Sequence, residues 1–237
     1  MSKLIAFLTL SVLLAISSNA WALESFVAEY AIYKGPVKAG SLTRSFRLNA
    51  EARYEYTSRM ETSGVVALFS KKFIMETSVG HFDGARFVPH RYSIDKNGER
   101  KDYTLHFDHD NMIVSRSDPG HDWSATMPPA LLDKLVYQLQ FMIDLNQPQE
   151  NLRYAVADKD RLKHYDIVVH PAETVQTAAG TYQAVKLERS KLNSQKRTIV
   201  WCAAELDWVP VKVEYRDKKG GLTNAVLDSI RFGKITN

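Results

Sequence analysis

Residues 25–50 read "SFVAEYAIYKGPVKAGSLTRSFRLNA", and the spacing of their apolar side chains decides the fold. Phe26, Ala28, Tyr30 and Ile32 fall on every second position. The same spacing returns at Leu42, Phe46 and Leu48, with Ser41, Thr43, Ser45 and Arg47 on the opposite parity. A period of two marks an extended strand with one covered and one wetter face, so two such runs in succession predict antiparallel strands.

The pattern continues in both directions of the argument. "ARYEYTSRMET" (52–62), "KKFIMETSVGHFD" (71–83), "ARFVPHRYSID" (85–95), "ERKDYTLHFD" (99–108) and "NMIVSRS" (111–117) read as a meander. Asp95-Lys96-Asn97-Gly98 and Asp108-His109-Asp110-Asn111 are its turns, and "SGVVALFS" (63–70) is an apolar bend between two strands. Strand patterns resume at 151–158, 162–170, 173–178, 181–190, 197–204, 208–217 and 225–233. Between the two sets lies "PPALLDKLVYQLQFMIDLN" (128–146). Prolines at its start and apolar residues at Leu131, Leu132, Leu135, Leu139, Met142 and Ile143 predict a helix, greasy enough to be packed over the sheet. More than ten strands and one main helix predict a mostly β fold: a strongly curved antiparallel sheet or a half-open β-barrel, which spares that many strands long exposed edges.

The first 22 residues have a different character. Lys3 precedes an apolar run from Leu4 to Ile16, and Ala20-Trp21-Ala22 has the small-x-small form of a cleavage site. This is the layout of a bacterial secretory signal peptide, too short in its apolar part for a membrane span. Cleavage after Ala22 leaves 215 residues (237 less 22), a size that suits one β-rich domain over residues 23–237. The expected location is the periplasm, without an integral membrane segment. The net charge of +4 becomes +3 once Lys3 is removed. So mild a surplus favours anionic envelope material and lacks the dense Lys/Arg pattern of a nucleic-acid binder. Cys202 is the single cysteine, so no internal disulfide forms, and its run "RTIVWCAA" reads as a buried strand rather than the setting of a nucleophile.

Signatures of catalysis are missing: the chain has no G-x-S-x-G, S-x-x-K, H-E-x-x-H, P-loop or dinucleotide fingerprint. His106 and Asp108 would share a strand face, but Asp108-His109-Asp110-Asn111 is better explained as a turn than as a metal site. His164, Asp166 and His170 share one parity, yet two histidines six residues apart on a strand, about 20 Å, cannot share one metal. No catalytic residue, metal or cofactor is assigned.

Four features carry a family resemblance. Gly180-Thr181-Tyr182 enters a strand, a strand ends at Trp201, Trp208-x-Pro210-Val211 follows a short turn, and Leu227 to Ile230 form a last strand. With "YAIYKGPVKAGSLT" near the start, the chain resembles the bacterial family known as domain of unknown function 3108. The resemblance implies an exported β-rich fold with no assigned reaction. Gly180, Tyr182, Trp208 and Pro210 read as structural: Gly180 permits a turn with φ > 0, and Pro210 suits an edge or a bulge.

Address and architecture together point to a periplasmic binding protein for an apolar envelope ligand, a lipid or acyl chain, acting as carrier or sensor. Tyr54, Tyr56, Leu135, Leu139 and Trp201 are the candidate ligand-lining residues. The alternative is an envelope assembly or chaperone-type module that binds a protein through a sheet edge, and a hydrolase of envelope polymer is a third reading. A carrier requires a cavity of hundreds of Å³ beneath residues 128–146. An interaction module requires a filled core and a free edge or apolar patch.

Overall fold

The computed structural model describes residues 23–63, 73–97, 102–118, 121–190 and 195–233. The signal-peptide reading of residues 1–22, most of the bend at 63–70 and Gly98 of the first predicted turn lie outside them.

Fifteen strands form one sheet. The first eight are β1 (Phe26–Lys34), β2 (Val37–Leu48), β3 (Arg53–Thr62), β4 (Phe73–Phe82), β5 (Phe87–Asp95), β6 (Tyr103–Asp108), β7 (Ile113–Asp118) and β8 (His121–Thr126). A two-residue strand, β9 (Leu132–Asp133), and one helix, α1 (Tyr137–Asp144), follow. The remaining strands are β10 (Asn151–Ala157), β11 (Leu162–Thr177), β12 (Gly180–Ser190), β13 (Arg197–Ala203), β14 (Pro210–Arg216) and β15 (Leu222–Phe232). Their spatial order is β8-β7-β6-β5-β4-β3-β2-β1-β15-β14-β13-β12-β11-β10-β9. The first and last of these strands therefore meet in the middle of the sheet, where β1 pairs with β15, and the two arms grow outward from that pair. Edge strands β8 and β9 do not pair with each other among the described residues, so the sheet is curved but not closed.

The period-two pattern places the core. Phe26, Phe46, Tyr56, Ser78, Tyr92 and Leu105 face one another across β1 to β6 in consecutive register, and all six are buried. They form one row on the concave face. The sheet curls until one end reaches the middle of the other arm: Asp133 of edge strand β9 accepts the Ser78 hydroxyl of β4, and Gln140 of α1 accepts the Phe87 N–H of β5. Concave side chains and the covering segment 131–145 merge into one apolar cluster. Phe46 stacks edge-on against Tyr56 and Phe87 at 6.3 and 5.8 Å, the geometry that aromatic quadrupoles favour.

Three sequence readings are corrected. The predicted helix over 128–146 is helical only from Tyr137 to Asp144. Pro128 and Pro129 lack N–H donors, Ala130 sits at φ +55°, and Leu132–Asp133 pair in parallel with Val156–Ala157 of β10. The Asp133 carboxylate then takes the Leu135 and Val136 N–H groups at 2.8 Å each, just before the helix starts at Tyr137. The strands expected at 162–170 and 173–178 are a single strand, β11, with a register shift between His170 and Ala172 where Pro171 cannot donate. Residues 121–126, assigned no strand from the sequence, form β8.

The β11–β12 hairpin turns at Gly180, whose φ of +149° is one that side chains rarely adopt. An added Cβ would lie 3.0 Å from the Tyr182 hydroxyl, which donates to the Ala179 carbonyl at 2.9 Å and closes the turn. Gly180→Ala is expected to lower the unfolding free energy by about 1–2 kcal/mol, read as an earlier midpoint in urea at unchanged slope.

Candidate functional site

A cleft of about 430 Å³ opens where the segment before α1, α1 and β10 approach the β4–β5 and β6–β7 turns. Four pieces of chain build it. The β4–β5 turn supplies Asp83, Arg86, Phe87 and Val88; the β6–β7 turn supplies His109 and Met112; residues 127–132 form a third wall; and α1 with β10 closes it through Gln140, Asp144, Arg153, Tyr154 and Ala155. The two prolines that stop the helix thus shape the rim. The Met127 N–H donates to the Met112 carbonyl at 2.8 Å, tying the third wall to the second.

Its lining divides by chemistry. Phe87, Val88, Met112, Met127, Leu131 and Leu132 make an apolar wall, with two methionines that adapt to irregular shapes. Opposite them runs a hydrogen-bonded chain: Tyr154 donates to Asp144 Oδ2 at 2.7 Å, and Gln140 Nε2 donates to Asp144 Oδ1 at 3.0 Å and to the Ala85 carbonyl at 3.2 Å. Burial, and then the Asp144 carboxylate, push the Tyr154 hydroxyl well above its ordinary pKa, so it stays a donor. At the mouth, Arg153 pairs with Asp166 at 2.5 Å, whereas the exposed Arg86 makes no ion pair among the described residues. This is a recess with an apolar lining, a hydrogen-bonded polar chain that includes the Asp144 carboxylate, and two arginines, Arg86 and Arg153, in its lining. It holds no nucleophile paired with a base.

Beside it, three histidines stand in a row. His81 Nδ1 and His90 Nε2 are 2.9 Å apart, the rings of His90 and His109 are centred 5.8 Å apart, and His109 Nε2 donates to the Pro89 carbonyl at 2.8 Å. Partial burial, then the neighbouring His81 and His109, lower the His90 pKa. Among the described residues no group of three or more His, Cys, Asp or Glu has metal-binding geometry. Asp108 instead accepts the Asn111 N–H at 3.0 Å and its Nδ2 at 2.8 Å, the geometry of a turn. His170 approaches Glu188 at 3.3 Å, and Asp166 is held by Arg153.

The residues singled out from the sequence lie elsewhere. Tyr54, Tyr56, Leu135, Leu139 and Trp201 all belong to the buried cluster, and none of them lines the cleft. Tyr54 donates to Ser78 Oγ at 3.0 Å; the Trp201 Nε1–H donates to Glu173 at 2.5 Å, with the Lys212 ammonium 4.4 Å over the ring. Cys202 is fully buried, and that burial raises its thiol pKa, which leaves it protonated and inert. Trp208 donates to Asn146 at 2.8 Å just after α1, and the Pro210 carbonyl accepts the Tyr30 hydroxyl at 2.9 Å beside a register shift in β13–β14. Sequence reasoning missed Met112, Met127 and Arg153 because no local pattern joins three loops and a strand. It also missed Asp133, although a lone acid inside "ALLDKLV" is a visible signal.

A family model described as "Protein of unknown function (DUF3108)" matches residues 29–227. No curated protein matches the chain. Among solved structures, a β-barrel-like protein of domain of unknown function DUF1849 from Brucella abortus shares the fold. Its TM-score is 0.60 at 10% identity over 90% of this chain and 99% of that one. Weaker likeness, TM-score 0.37 at 11% identity, extends to a protein from Parabacteroides distasonis provisionally described as a lipoprotein, over 88% of this chain and 95% of that one. Among the described residues no helix is long and apolar enough to cross a membrane.

Proposed function

The chain belongs to the DUF3108 family, and from that membership and the shape of its cleft we propose that it is an exported, periplasmic binding protein for an amphipathic envelope ligand. The observation that carries this reading is the 430 Å³ recess with its apolar wall. That volume falls within the range of small-molecule sites. Its greasy side takes part of an acyl chain, while Gln140, Asp144 and Tyr154 orient the polar end. The signal-peptide pattern at 1–22 and one domain over 23–237 belong to the same proposal. In it, Leu135 and Leu139 hold the segment that forms the cleft floor, and Tyr54, Tyr56 and Trp201 keep the sheet rigid behind it.

The test is organic extraction and mass spectrometry of protein purified gently from the bacterial envelope, beside the variant Ala155→Phe. Ala155 lines the cleft, so a phenyl ring there fills it. The wild type is expected to carry a stoichiometric lipid, and the variant about tenfold less at a similar melting temperature. A folded wild-type protein free of lipid would sink the reading. The second reading, a protein-interaction module, is favoured by one observation: β8 ends the sheet with one ladder side unpaired among the described residues. A proline at Ser124, in the middle of that strand, would then abolish partner capture and leave lipid content unchanged.

A further inference from the structure

Alternation along β2 puts Arg44 between Leu42 and Phe46 on the concave face, among side chains that are otherwise aliphatic or aromatic. Its relative exposure is 7%, and neither Nε nor Nη1 has a hydrogen-bond partner. A guanidinium cannot shed its proton to escape burial. Each buried donor of a charged group that is left without a partner costs about 1–3 kcal/mol or more.

Its surroundings favour the charged form, since Tyr56, Tyr30, Tyr137 and Glu76 together outweigh the effect of burial and Tyr56 is hydrogen-bonded to it, but Nε and Nη1 are left unpartnered among the described residues. The Tyr30 ring lies 5.8 Å away and its hydroxyl donates elsewhere, to Pro210. Tyr56, Tyr137 of α1 and Glu76 are the other groups that act on it. Burial raises the pKa of Tyr56 and Tyr137, so both remain neutral donors. Glu76 is already engaged by Lys134 at 2.7 Å and by the Tyr92 hydroxyl at 2.5 Å. Two cations, Arg44 and Lys134, thus draw on one carboxylate, and Arg44 Nε and Nη1 remain as two buried donors without partners among the described residues.

We propose that Arg44, with the Tyr56 and Tyr137 hydroxyls, is an interior receptor for an anionic headgroup, a carboxylate or phosphate, whose apolar tail lies along the concave face. The site is separate from the cleft, since none of these residues lines it. Guanidinium pairs such oxyanions through two parallel N–H bonds. The apolar neighbours Phe26, Leu42 and Phe46 favour an anion with a tail over a free ion. Because the core is filled, occupancy requires the segment carrying Tyr137 to give way.

The probes are laurate, dodecanol (the same tail without charge) and inorganic phosphate, titrated calorimetrically into wild type and Arg44→Gln. Wild type is expected to bind laurate at least tenfold more tightly than dodecanol, and R44Q to lose that preference while its dodecanol affinity is unchanged. Phosphate that competes with laurate identifies the headgroup pocket. Phosphate that binds while laurate does not identifies a free oxyanion as the occupant. Equal binding of laurate and dodecanol by wild type, binding of none of the three, or a preference retained in R44Q overturns the proposal. Should R44Q not fold, Arg44→Lys serves instead. It keeps the charge but not the fork, so undiminished laurate binding by R44K overturns the proposal too. Loss of the Ala155→Phe effect with this preference intact would remove the cleft reading alone.

Discussion

Asp133→Ala is expected to destabilise the protein by about 3 kcal/mol, lowering its melting temperature by roughly 10 °C. Asp133 has no exposed surface. One carboxylate oxygen accepts the Leu135 and Val136 N–H groups, and the other accepts the Ser78 hydroxyl at 2.5 Å, which in turn receives the Tyr54 hydroxyl. Alanine leaves those donors buried without an acceptor and unlatches the covering segment from β4. Relief of the buried charge offsets part of the loss. Asp133→Asn keeps an oxygen for the two N–H groups, so its cost is about 1 kcal/mol at neutral pH. Equal costs for the two variants would show that the carboxylate is no latch.

The same residue imposes a pH dependence. Burial raises the Asp133 pKa from 3.8 to about 6, against the lowering effect of its hydrogen bonds. Between those values the folded state binds a proton that the unfolded chain does not. Its contribution to stability is therefore full below pH 4 and is lost as the pH rises to about 6, by about 3 kcal/mol in all. Urea unfolding of wild type and D133N across this window isolates the effect. The wild type is expected to lose stability relative to the variant as pH rises, and parallel curves would refute the buried-carboxylate account.

Gly80→Ala is expected to cost about 3 kcal/mol or more, through backbone rather than cavity. Gly80 lies opposite Tyr54 on β3 and Pro89 on β5, at a register shift in the β4–β5 pair. A Cβ there would sit 2.1 Å from the Val88 carbonyl oxygen and 2.9 Å from both the Pro89 Cα and Tyr54 Cε1. A carbonyl in a sheet ladder cannot swing aside as the tip of a long side chain can. The strands must part, and with them the wall that carries Phe87 and Val88 into the cleft. Expected readouts are an earlier urea midpoint and faster amide exchange along β4 and β5. A melting temperature within a few degrees of wild type would contradict the close approach.

The sequence showed more of the scaffold than of the site, for a physical reason. Phe26-x-Ala28-x-Tyr30 and Leu42-x-x-x-Phe46 are local patterns, since each strand writes its own alternation. Arg44 stood in the same register, and its parity alone marked it as inward-facing. It drew no notice because a lone charge between apolar residues reads as part of the polar half of the strand. The start of the helix was misread because "PPALLDKLVYQ" has helical spacing, while the pairing of Leu132–Asp133 with β10 and the bond to Ser78 are tertiary. The cleft was the least legible part. It is assembled from turns 83–88 and 109–112, residues 127–132 and a strand that begins at Asn151.

The pairing of β1 with β15 has a consequence for the order of folding. Phe26 meets Phe232, and the Gly233 N–H bonds the Ser25 carbonyl, so the innermost ladder joins the first and last strands to be synthesised. Each arm can zip from local hairpins, but the seam between them closes only once β15 is available. Contacts of such sequence separation make folding slow. A chain emerging in order therefore carries one bare edge of β1 through the making of thirteen further strands, a long exposure that the short, local hairpins of each arm never meet.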